Sequence, residues 1–94
     1  MYERILRQMR EKIRSRQYVM TLYAEEEMND DLLGIFDVER AILTGAIVER
    51  QDNHVSGEWK YLVAGESIDG HDVTVVVKLS ATGKLVIITV YREQ

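Results

Sequence analysis

A chain of 94 residues with a net charge of −4, 46% hydrophobic and 30% charged, is sized for one domain and too apolar for disorder. Without Cys it has no disulfide framework, thiolate metal centre or thiol nucleophile, and without Pro it has no polyproline segment. No apolar run reaches the roughly 18–20 residues of a membrane span, so a soluble, cytoplasmic protein with no membrane partner is expected.

Residues 1–16 carry Arg4, Arg7, Arg10, Lys12, Arg14 and Arg16 against Glu3 and Glu11, a local net of +4 that leaves −8 on the remainder. Such a segment attracts nucleic acid or an acidic partner, and equally serves as a solvated helix face. Tyr2, Ile5, Leu6, Met9 and Ile13 recur at helical spacing and predict an amphipathic helix over 2–16. Its arginines interrupt the apolar positions, so a secretory signal is not expected.

Residues 16–21 read as a short extended segment, followed by a helical piece over 22–29 that carries Glu25, Glu26 and Glu27 and ends near Asp30 and Asp31. Gly34 breaks the chain. Asp37 suits the N-cap of a third helix running through Leu43, because its carboxylate accepts from unpaired N–H groups of the first turn. Gly45 suits a left-handed residue closing that helix.

Strands follow over about 46–51, 58–68, 71–80 and 84–91, with a loop over 52–57. Asp69-Gly70 is the signature of a two-residue hairpin turn, and Ala81-Thr82-Gly83 that of a three-residue loop. The expected fold is therefore α+β: two or three N-terminal helices on a four-stranded antiparallel sheet, forming one domain over 1–94.

Turn chemistry predicts the faces. Ile68 opposite His71 sets Tyr61 opposite Lys78 and Val63 opposite Val76, while Ser80 opposite Lys84 sets Lys78 opposite Val86. One face then holds Leu62, Ala64, Val73, Val75, Val77, Leu79, Leu85, Ile87, Thr89 and Tyr91. The other holds Trp59, Tyr61, Val63, Thr74, Val76, Lys78, Val86, Ile88 and Val90. A one-residue slip in either turn exchanges these sets. Both are apolar, so the second needs cover from a helix, a second copy or another protein.

Three blocks carry a family resemblance: Tyr18-Val19-Met20-Thr21-Leu22-Tyr23-Ala24, Asp37-Val38-Glu39-Arg40-Ala41-Ile42-Leu43-Thr44-Gly45, and Ile87-Ile88-Thr89-Val90-Tyr91. In order and spacing they resemble the small bacterial domain-of-unknown-function family forty-two fifty-eight, over about residues 18–91. Such proteins are likened to the RelE, BrnT and MqsR toxin fold, and some are encoded beside a YgiT-type zinc-finger protein resembling an MqsA antitoxin. The resemblance implies a RelE-toxin-like fold and an RNA-cleaving toxin of a type II toxin–antitoxin pair, acting on RNA or the ribosome and neutralised by an antitoxin-like partner. This chain departs from the family pattern at Tyr23, where His is usual, and near Glu27 and Asp31, where Arg is usual.

A metal-free ribonuclease needs a base, cationic donors for the phosphorane and an acid for the leaving oxygen. Lys78 beside Tyr61 offers a cation and a phenol on one predicted sheet face. Lys84 and Arg92 share that parity, and His71 after the tight turn is the natural proton carrier, although register puts it on the opposite face. The structural alternative packs Tyr61 in a core and runs the Lys78 stem past it to solvent. Trp59 reads as a core or interface anchor.

His54, near Asp52, Asn53 and Ser56, is a metal ligand in principle, but two His and no Cys do not build a closed transition-metal site. The Glu25–Glu27 and Asp30–Asp31 cluster lacks the spacing of a calcium loop and reads as a solvated face. No phosphate loop or nucleophile elbow is present, so neither cofactor nor metal is expected. Two functional readings stand: a toxin-like, metal-independent ribonuclease, and a non-catalytic module that docks a partner or forms a homodimer through the second sheet face.

Overall fold

The structure, a computed structural model, describes residues 1–53 and 58–93, so His54 and most of its loop lie outside the described residues. The elements run α1 (Glu3–Arg14), β1 (Tyr18–Met20), α2 (Leu22–Asp30), α3 (Ile35–Thr44), β2 (Ala46–Asn53), β3 (Glu58–Glu66), β4 (Asp72–Leu79) and β5 (Leu85–Arg92). The fold is α+β, with a five-stranded mixed sheet in the order β1-β5-β4-β3-β2. This corrects the four antiparallel strands expected: the short segment before α2 is a strand, pairing parallel to β5 through Tyr18 and Leu85, Val19 and Val86, and Met20 and Ile87. Among the described residues no helix is long and apolar enough to cross a membrane.

The apolar stripe of α1 buries Met9 and Ile13 against the sheet. Arg10 is not free: it donates to the carbonyls of Ile42 at 3.2 Å and Gly45 at 2.7 Å, tying α1 to the end of α3. There its positive charge also suits the negative end of the helix dipole. Both α1 and α2 end in a double-bonded left-handed cap. Gln17 N donates to Lys12 O at 2.9 Å and Arg16 N to Ile13 O at 3.2 Å, with Arg16 at φ 58°. Leu33 N donates to Met28 O at 2.8 Å and Leu32 N to Asn29 O at 3.1 Å, with Leu32 at φ 57°.

Thr21 joins β1 to α2. Its hydroxyl accepts from Ala24 N at 3.1 Å, capping the helix, and donates to Ile88 O at 3.1 Å. Beyond the three residues of β1, α2 takes over the edge of β5. Glu27 accepts from Val90 N at 3.2 Å and Asp31 from Arg92 N at 2.8 Å. Four helical residues rise about 6 Å and two strand residues about 6.6 Å, so carboxylates at i and i+4 meet alternate strand N–H groups. These two acidic side chains are edge caps, which corrects their reading as a solvated face.

Helix α3 begins one turn earlier than expected, with Gly34 at its N-cap. Asp37 therefore sits at the third helical position, where its Oδ2 accepts from Gly34 N at 2.8 Å and its Oδ1 from Ile68 N at 3.0 Å. At φ −91° Gly45 is not left-handed; it is small because α3 and β3 meet there, and a Cβ would collide with the carbonyls of Ala64 and Ala41. Gly65 meets the Ala41 backbone in the same way.

That contact helps fix the register of β3, since position 65 must face the helix. The β3–β4 turn is a three-residue loop, Ile68-Asp69-Gly70: Ser67 N donates to His71 O at 2.8 Å, and Gly70 is left-handed at φ 86°. The buried Ser67 hydroxyl accepts from His71 N at 3.0 Å and secures it. Tyr61 consequently lies opposite Val77, and Val63 opposite Val75. The predicted pairings with Lys78 and Val76 were one residue off, so the two faces of β3 are exchanged.

The second hairpin follows expectation near its turn, with Lys78 opposite Val86 and Val77 opposite Ile87. A bulge at Ile88 then sets Val76 opposite Thr89 and Val75 opposite Val90. Val90 enters the core; Thr89 and Tyr91 leave it. The helix-covered face buries Tyr61, Val63, Val73, Val75, Val77, Leu85, Ile87 and Val90 against Met9, Ile13, Ala24, Leu33, Val38, Ala41 and Ile42. The opposite face carries Leu62, Ala64, Val76, Val86, Thr89 and Tyr91, all half-buried, with exposed Val19 beside Val86.

Candidate functional site

Register decides the fate of the predicted constellation. Tyr61 is 6% exposed on the helix-covered side, edge-on to the Tyr2 ring at 6.1 Å. Lys78 belongs to the opposite face, where its ammonium pairs with Glu58 at 3.2 Å. The phenol and the cation thus point to opposite sides of the sheet and do not form a pair.

His71 and Arg92 sit at the other end of β4 and β5. Seven residue steps separate His71 from Lys78, about 23 Å at the usual strand rise. Exposed His71 is part of the β3–β4 turn, and exposed Arg92 lies opposite Val73 with its N–H on Asp31. Lys84 is exposed just after the β4–β5 turn, at the end of the sheet nearer Lys78. The five side chains that would share a ribonuclease site are therefore divided between two ends and two faces. Tyr23 is exposed on α2.

One phenol is electrostatically distinctive. Tyr18 donates a short hydrogen bond to Glu39 on α3, with the Arg16 guanidinium 4.0 Å from the same carboxylate. Burial first, then that hydrogen bond and the carboxylate charge, push the Tyr18 phenol up to about 12. A phenol held protonated in this way serves as a donor that joins β1 to α3, not as a base.

The uncovered face combines a half-buried apolar centre with Lys60, Lys78, Glu58 and Glu49 along β2, β3 and β4, so both signs of charge border it. At the β2–β3 corner Trp59 is 42% exposed, with the Arg50 guanidinium stacked 3.9 Å from its ring. Among the described residues no group of His, Asp and Glu is placed to hold a metal ion.

Residues 20–92 match the family model described as Domain of unknown function (DUF4258). The chain belongs to this family. Neither a curated protein nor a solved structure matches it. In this DUF4258 chain Glu27 and Asp31 are both committed to the β5 edge.

Reasoning from sequence missed Leu62, Ala64, Thr89 and Tyr91 as members of the uncovered face. The one signal for Leu62 is its neighbour Gly65, whose need to face a helix fixes the parity of β3. The bulge that exposes Thr89 and Tyr91 leaves no mark in an apolar run such as Leu85–Val90.

Proposed function

We propose that this DUF4258 chain is a non-catalytic, cytoplasmic interaction module whose uncovered sheet face is closed by a second copy of itself. The observation that carries this reading is the row of Leu62, Val76, Val86 and Val19 left on the side away from all three helices. Area supports a self-contact. Five strands at about 4.8 Å spacing and six residues at about 3.3 Å rise span about 24 by 20 Å. Two such faces remove on the order of 1,000 Å² from water, near the lower bound for a specific interface. A weak, reversible dimer follows. Charge supports it too, because a border carrying Lys60 and Lys78 beside Glu58 and Glu49 can complement itself across a two-fold axis.

The ribonuclease reading rests on the resemblance to RelE-like toxins. It needs a proton carrier near a cation, and the separation of His71 from Lys78 leaves that constellation unassembled in the folded chain. The module reading is accordingly preferred.

Val76→Asp and Leu62→Lys test it, each placing a charge at the centre of the face. Light scattering on eluting protein should show dimer for the unaltered chain and monomer for both variants, with unchanged circular dichroism. A dimer that survives both charges would place the contact elsewhere.

A further inference from the structure

The end of the molecule where α2 meets α3, β3 turns into β4 and β5 finishes holds large apolar side chains in water. Leu32 is 88% exposed, Phe36 58% and Ile68 59%. Short links gather their backbones. Asp37 accepts from Gly34 N and from Ile68 N, Asp31 accepts from Arg92 N, and Glu93 N donates to Asp72 O at 2.9 Å.

Leu32 is the informative residue. It stands at a left-handed helix-ending position that glycine fills most easily. Its side chain therefore serves neither the backbone nor the core.

The surroundings state what kind of partner fits. Carboxylates of Asp30, Asp37, Asp69 and Glu93 lie at this end, with Arg92 and, one turn along α3 from Phe36, Arg40 as cations. Asp30, Asp31, Leu32, Arg92 and Glu93 line an open cavity of ≈ 380 Å³ there. A field of this sign repels phosphates and anionic membranes, and two copies of this end repel each other. It attracts cations, and the apolar groups add a contact that free cations cannot use.

We propose that this end is a docking surface for a positively charged segment of another protein, one that presents apolar side chains to Leu32, Phe36 and Ile68. The surface is separate from the sheet face and acts whether or not that face pairs.

Three synthetic helical peptides test this by titration into isotope-labelled chain, with amide shifts as the readout. The first has a leucine stripe among lysines, the second replaces lysine by glutamate, and the third replaces leucine by alanine. The first should saturably shift amides within 30–37, 66–72 and 91–93, and the other two should bind at least about tenfold more weakly. Leu32→Gly with Phe36→Ser should weaken the first peptide by a similar factor, and Ile68→Thr provides an independent loss. Val76→Asp should leave binding unchanged, which separates this surface from the dimer face.

Equal binding of the alanine peptide, unchanged binding by the variants, or shifts confined to other residues would overturn the proposal. Concentration-dependent shifts of amides 30–37 in the Val76→Asp chain without peptide would also overturn it, by assigning the surface to a second copy.

Discussion

Arg16 and Leu32 both hold left-handed backbone at the position where a helix ends, φ 58° and 57°. A β-carbon there crowds the neighbouring carbonyl at a cost of roughly 1–2 kcal/mol, part of which glycine returns through its freer unfolded chain. Arg16→Gly and Leu32→Gly should each stabilise the fold by about 1 kcal/mol. In a chain of this size that raises Tm by roughly 4–8 °C; a lower Tm for both would remove the strain account. Gly65→Ala should act in the opposite sense, costing at least about 2 kcal/mol, because the new carbon meets the Ala41 backbone rather than a yielding side chain. Denaturant titration reads both effects.

Tyr18 gives a pH prediction at the same scale. Its phenol titrates near 10.0 in a free chain and at about 12 in the fold. A raised folded value means that the contribution is complete below pH 10 and is lost as pH climbs toward 12. Tyr18→Phe should flatten stability across that alkaline window. The difference between ultraviolet titrations of the unaltered chain and Tyr18→Phe should show a phenol ionising at about 12; a difference centred near 10 would contradict it.

At the scale of elements, α2 behaves as a surrogate strand. Its carboxylates replace the ladder that β1 is too short to continue, so Asp31→Ala should cost about 1 kcal/mol and speed hydrogen exchange at the Arg92 amide. Unchanged exchange there would mean that water serves the edge equally well. The helices were legible because burying Met9 and Ile13 leaves a periodic trace. The long strands were legible because Val and Ile dominate Val73–Val77 and Val86–Val90. Strand β1 was not, since three residues carry no periodicity and their partners lie on β5, at the far end of the sequence. The turn at Asp69-Gly70 was ambiguous because glycine serves both a two-residue and a three-residue loop. What decides between them is tertiary: the buried Ser67 hydroxyl, the Asp37 carboxylate on Ile68 and the close approach of Gly65 to α3.

For the whole molecule, that single residue of register has functional consequences. Parity alone placed Tyr61 beside Lys78, and parity alone separates them. A candidate site inferred from cross-strand adjacency inherits every error made in the turn. The two apolar faces survive the exchange, because β3 alternates Tyr61 and Val63 with Leu62 and Ala64, all of them apolar. The apolar character of the second face, from which a need for cover was argued, was thus readable from composition, whereas the identities of its members were not.

Sedimentation equilibrium of the unaltered chain over a wide concentration range tests that need most directly. A second copy on the sheet face predicts an apparent mass that climbs from 10.9 kDa toward twice that value as concentration rises. A constant 10.9 kDa throughout would contradict it.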